Sequence, residues 1–79
     1  MEMIPVQSSQ LHAIGYDPAR SVLAIRFKTG ATYEYAEVPK EIFDEFLDSE
    51  SPGKFFGQHI RGAFEFSRLP NPEESEATS

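Results

Sequence analysis

The residues best suited to hold an anion are Ser51-Pro52-Gly53-Lys54, followed by Arg61 and Arg68. A helix opening at Pro52 would expose unpaired N–H groups and a partial positive charge, and Lys54 would stand beside any phosphate bound there. A simpler account explains the same residues: Ser51 caps its own helix, Gly53 permits close packing and Lys54 is solvated. Arg61 has two competing roles. It contacts a phosphate, or it pairs with Asp48 or Glu50, whose charges are unfavourable at a helix C-terminus. Tyr33, Tyr35, Phe64 and Phe66, with Arg26 or Arg68 nearby, could form a stacking platform for unpaired bases. In so short a chain the need for burial already accounts for those rings, so they are expected in the core.

Catalytic constellations are weak. His12 and His59 are the only histidines, and neither has a second His or Cys at ligand spacing, so no metal site is expected. Ser8 or Ser9 beside His12 lacks an orienting carboxylate and an oxyanion hole. Asp44 and Glu45 read as a solvated charge run on a helix face. We therefore expect no enzyme, no catalytic residue and no cofactor.

Seventy-nine residues without cysteine allow one small domain with a thin core and no disulfides. Seven Phe and three Tyr must supply much of its burial. The net charge of −6 is unevenly spread: residues 1–33 carry +1, 34–50 carry −6, 51–69 carry +2 and 70–79 carry −3. Bulk attraction to nucleic acid or to an anionic membrane is not expected from the total, so an anion would have to be met by the local cations. No apolar run approaches the roughly 20 residues of a bilayer span and the N-terminus has no signal-peptide pattern, so a cytoplasmic location is expected.

The elements that would position these residues follow from the periodicity. Leu11 to Tyr16 reads as a strand, and Asp17-Pro18-Ala19-Arg20 as a type I turn. Val22 to Lys28 alternates, with Leu23, Ile25 and Phe27 on a core face and Val22, Ala24, Arg26 and Lys28 on a mostly wet one. Thr29-Gly30 turns the chain into a third strand, Thr32 to Ala36. A helix from Pro39 to Asp48 buries Ile42, Phe43, Phe46 and Leu47 and exposes Glu41, Asp44, Glu45 and Asp48. A shorter helix starts at Ser51-Pro52 and is weakened by Gly53, Gly57 and Gly62. The segment after Gly62, with Phe64 and Phe66 in alternation, is a candidate fourth strand. Residues 70–79 have the composition of a disordered acidic tail, leaving 1–69 as the single domain.

In order along the chain stand Ser8-Ser9, Ile14-Gly15-Tyr16-Asp17, Leu23, Phe27, Gly30, Tyr33, Tyr35, Val38-Pro39, Ser51, Gly53, Phe56, Ile60-Arg61 and Phe64. This combination resembles the KTSC domain family over roughly residues 6–69. The family comprises small stand-alone bacterial and phage proteins and a related domain at the C-terminus of some lysyl-tRNA synthetases. The chain departs from the family pattern at Gly57, where a polar residue is common, and at Phe64, where Tyr is common. The resemblance implies a context of RNA or tRNA contact.

Together these readings predict an α+β domain. It has a three- or four-stranded antiparallel meander, with one amphipathic helix and a shorter second helix on one face. The expected role is a non-catalytic binding module for RNA or another phosphate-bearing ligand, through Ser51, Gly53, Lys54, Arg61 and Arg68. The alternative is a protein-interaction module whose acidic helix, through Glu41, Asp44, Glu45 and Asp48, meets a basic partner. In both, the rings hold the interior together and polar groups around the rim do the recognising.

Overall fold

The computed structural model describes residues 2–69. The acidic tail expected over 70–79 lies outside them. Five strands form one antiparallel sheet in chain order: β1 (Met3–Pro5), β2 (Leu11–Asp17), β3 (Val22–Phe27), β4 (Thr32–Tyr35) and β5 (Phe66–Leu69). Helix α1 (Lys40–Asp48) and the short α2 (Pro52–Phe55), which runs into a single π-helical turn at Phe56–Ile60, are inserted between β4 and β5. This is the expected α+β architecture with one strand more than anticipated. The additional strand, β1, is three residues long and contains Pro5, a residue that lacks a ladder donor and is tolerated at a sheet edge. Nothing so short shows a period.

The turns follow their local chemistry. Asp17 holds its turn through its carboxylate, which accepts a hydrogen bond from the Ala19 N–H at 3.1 Å, while the Arg20 N–H donates to the Asp17 carbonyl. Between β3 and β4, the Gly30 N–H donates to the Phe27 carbonyl and the Phe27 N–H to the Ala31 carbonyl. Gly30 adopts φ 97°, as a three-residue hairpin loop with a bulge requires. At the start of β2 the register slips by one residue between Leu11 and Ala13, which leaves His12 exposed at a bulge.

Register sorts the side chains between faces. Ile14 opposite Ile25, Tyr16 opposite Leu23 and Leu11 opposite Phe27 share the face on which the helices pack. Tyr35, Phe43, Phe46, Phe56, Val38 and Ile60 complete the buried core. The stripe of α1 is as expected for Phe43 and Phe46, but Leu47 is exposed. On the other face Val22 and Ala24 are buried rather than wet. They sit on β3 with a strand on either side, and small side chains in mid-sheet are shaded by their surroundings.

Tyr16 locks α1 to the sheet. Its ring stacks on Phe43 with centroids 5.2 Å apart, and its hydroxyl donates to the Val38 carbonyl at 2.6 Å. Phe46 of α1 in turn stacks on Phe55 of α2. The two helices are therefore pinned by rings, not by ion pairs. One local expectation needs correction: the Ser51 side chain makes no capping bond. The neighbouring Ser49 hydroxyl instead accepts the Ser51 N–H at 3.1 Å, and Pro52 at the first helical position leaves one donor fewer to cap.

Candidate binding cleft

Helix α2 and its π-helical turn are too short to roof the whole sheet. They deliver Phe56 over β3 and β4, where its ring meets Phe27 and Tyr35 edge-on at 5.4 and 5.8 Å. Beyond Phe56 the end of the sheet formed by β4 and β5 stays open. Here register puts Phe66 opposite Tyr35 and Arg68 opposite Tyr33. Phe66 leans on both tyrosines, with centroids 5.4 Å from Tyr33 and 5.5 Å from Tyr35, and Tyr33 meets Phe27 edge-on at 5.4 Å. The contacts close into a circuit: Phe27, Phe56, Tyr35, Phe66, Tyr33 and back to Phe27.

All five rings line a cleft of about 580 Å³, whose other described lining residues are Ser9, Gln10, Lys28, Thr29, Ala31, Arg61 and Gly62. The rings were expected to be consumed by the core. Tyr35 and Phe56 are, but Phe27 and Tyr33 are only partly buried and Phe66 is 57% exposed. The physical reason is the length of the second helical element, which covers too little of the sheet to bury them. Electrostatics at this cleft run against those of the chain: among the described residues its lining carries Lys28 and Arg61 and no carboxylate, although the protein's net charge is −6.

Arg61 reaches this position because the π-helical turn ends on it. Its N–H donates to the Phe56 carbonyl at 2.8 Å and its backbone turns extended, followed by Gly62 at φ 79°. Among the described residues the ion pairs are Arg20 with Asp17 and Glu34, and Lys40 with Asp44. None joins Arg61 to Asp48 or Glu50. The guanidinium acts on Tyr35 instead. Burial, followed by the nearby Tyr33, raises the pKa of the Tyr35 hydroxyl, and Arg61 partly opposes that rise.

Ser51, Gly53 and Lys54 line a second, smaller hollow of about 340 Å³ together with Gln7, Ser8, Ser9, Gln10, Glu50 and Pro52. Gly53 lies against Ser8: a Cβ there would come within 3.3 Å of the Ser8 hydroxyl oxygen. That oxygen accepts hydrogen bonds from the Gln10 and Leu11 N–H groups, which fold the loop before β2. Ser9 and Gln10 belong to both hollows and form the ridge between them. The structure thus splits the sequence-derived set: Ser51, Gly53 and Lys54 on one side of the ridge and Arg61 on the other. Arg68 is exposed on β5 beside Tyr33 and is not among the residues lining either hollow. Sequence reasoning missed Phe27, Lys28 and Phe56 as cleft residues. The available signal was the joint placement of Phe27, Tyr33 and Tyr35 on one face of adjoining strands.

The other candidates remain apart. His59 is exposed and rests on the Phe55 ring, centroids 4.6 Å apart. Among the described residues no three His, Asp or Glu groups converge in a way that could hold a metal ion. Glu41, Asp44, Glu45 and Asp48 are all exposed on α1. No described helix is long and apolar enough to cross a membrane.

Comparison with known proteins places this geometry in context. The KTSC domain profile matches residues 7–64. A protein of Tsukamurella paurometabola is 52% identical over 62 residues, covering 78% of this chain and 92% of that protein. The lysine–tRNA ligase of a Nostoc species is 30% identical over 67 residues, which is 85% of this chain but 12% of the ligase. The crystal structure of a KTSC domain protein from Yersinia pestis superposes with a TM-score of 0.85 at 36% identity, covering 87% of this chain and 97% of that one.

Proposed function

The chain belongs to the KTSC domain family, and on that footing we propose that it is a non-catalytic binding module for RNA or another phosphate-bearing ligand, acting in the cytoplasm. The observation that carries this reading is the composition of the larger cleft, whose described lining residues include five aromatic rings, Lys28 and Arg61 and no acidic side chain. Rings offer stacking surface to any unpaired base, and cations neutralise the phosphates between bases. The likeness to a segment of lysine–tRNA ligases supports a tRNA-related context. Lys54, with Ser51 and Gly53, extends the cationic surface across the Ser9–Gln10 ridge, and Arg68 extends it along β5.

Fluorescence anisotropy of labelled single-stranded RNA and of tRNA, each at low and moderate salt, tests the reading. Binding that weakens with salt supports it. For single strands the slope of log K against log salt is about −0.7 per neutralised phosphate, so Lys28, Arg61 and Lys54 together predict a slope near −2. Failure of both RNAs to bind at low salt refutes the RNA reading, and failure of phosphate-bearing small ligands as well refutes the whole.

The exposure of all four carboxylates on α1 favours a second reading, in which Glu41, Asp44, Glu45 and Asp48 engage a basic protein partner. Reversal of Asp44 and Glu45 to Lys would then abolish recovery of that partner without unfolding the domain.

A further inference from the structure

Phe66 sits on the outermost strand of the sheet, yet it is not an isolated surface ring. It lies against two tyrosines, tilted 43° to Tyr33 and 36° to Tyr35, and so presents aromatic surface to the cleft. Resting on the proposal of phosphate-ligand binding, we infer that the cleft takes one unpaired nucleotide, its base stacked against Phe66 and Tyr33 and its phosphate held by Arg61 and Lys28.

Three observations select this occupant. The cleft, at about 580 Å³, lies in the range that encloses one small organic ligand, and so suits a single nucleotide. Five of its twelve described lining residues are rings, which stack with a base only when that base has left its own stack. Its charged lining residues, among those described, are the cations Lys28 and Arg61, which favours a ligand whose aromatic part carries a negative group. Ser9, Gln10 and Thr29 supply hydroxyl and amide groups at the rim for the sugar or the edge of the base. The shared chemistry, an aromatic base bearing a phosphate, is found in a free mononucleotide and at an unpaired position of an RNA chain.

The test titrates the full-length, isotope-labelled chain with AMP, adenosine, inorganic phosphate and a short single-stranded oligoribonucleotide, following amide shifts. AMP is expected to give saturable shifts at Phe27, Tyr33, Arg61 and Phe66, with adenosine and inorganic phosphate each weaker. Phe66→Ala should weaken AMP binding at least about fivefold, in line with the loss of one base–ring stack, while Phe66→Leu distinguishes lost stacking from lost bulk. Arg61→Gln should bring AMP down towards adenosine. Cleft shifts with the oligonucleotide but not with AMP would assign the nucleotide to an RNA chain and support the site. Oligonucleotide shifts confined to Lys54 and its neighbours, with AMP silent, would overturn the nucleotide site and leave RNA binding standing. AMP binding indifferent to Phe66→Ala would also overturn it. Silence of every probe at low salt would remove both.

Discussion

Tyr35 and Phe66 face each other across β4 and β5 with ring centroids 5.5 Å apart, yet Tyr35 is 4% exposed and Phe66 57%. The boundary between interior and cleft therefore passes between two touching rings. Tyr35 also contacts Phe56, which roofs it, whereas among the described residues the ring contacts of Phe66 are the two tyrosines.

Stability should divide along the same boundary. Phe46→Ala removes a ring with no exposed surface and is expected to cost about 3–5 kcal/mol. Phe66→Ala should cost under about 1 kcal/mol, because most of that ring is already in water. Urea midpoints of the two variants check this. Equal losses would mean that Phe66 belongs to the core.

Tyr16→Phe deletes the 2.6 Å hydrogen bond to the Val38 carbonyl and keeps the stack on Phe43. The expected loss is about 1 kcal/mol, which in a domain of this size lowers Tm by roughly 4–8 °C. Calorimetry or thermal circular dichroism would measure it.

Alkaline pH should reach the cleft floor through Tyr35. Its folded-state pKa lies above the ordinary value of 10.0, chiefly from burial and secondly from Tyr33. A group raised in this way contributes stability in full below the unfolded pKa, and that contribution is lost as pH rises through the higher folded value. Stability should then be insensitive to Tyr35 from neutrality to about pH 9 and fall at higher pH, less steeply in Tyr35→Phe. Because Arg61 opposes the rise, Arg61→Gln should raise the pKa of Tyr35 further, visible in a spectrophotometric titration of the tyrosines.

Two glycines near Arg61, Gly57 inside the π-helical turn and Gly62 just after it, predict opposite signs. Gly57 has nothing within 4 Å of an added Cβ, so Gly57→Ala should stabilise by about 0.5–1 kcal/mol through the unfolded chain. Gly62, at φ 79°, occupies a conformation that strains any other residue. Gly62→Ala should destabilise by about 1–2 kcal/mol, and Arg61 should lose its place on the rim with it.

The meander and the first helix were legible because Leu23, Ile25 and Phe27 show a period of two, while Ile42, Phe43 and Phe46 fall on one helical stripe. Strand β1 was not, because three residues ending in a proline carry neither period nor propensity. Ser51 read as a cap by residue type alone, which cannot foresee that Ser49 serves the Ser51 N–H. The cleft was half legible. Alternation placed Tyr33 and Tyr35 on one face and read Phe64 and Phe66 as alternating in the last segment, but whether a ring is covered depends on how far a neighbouring helix extends. The π-helical turn that ends α2 at Arg61 has no signature in the sequence beyond its glycines.

Ultraviolet crosslinking of single-stranded RNA to the intact chain, read by mass spectrometry, asks most directly whether the open aromatic cleft is where recognition happens. The predicted result is crosslinked nucleotide on Phe27, Tyr33 or Phe66, reduced when Arg61 is changed to Gln. Crosslinks found only on α1, or none at low salt, would contradict it.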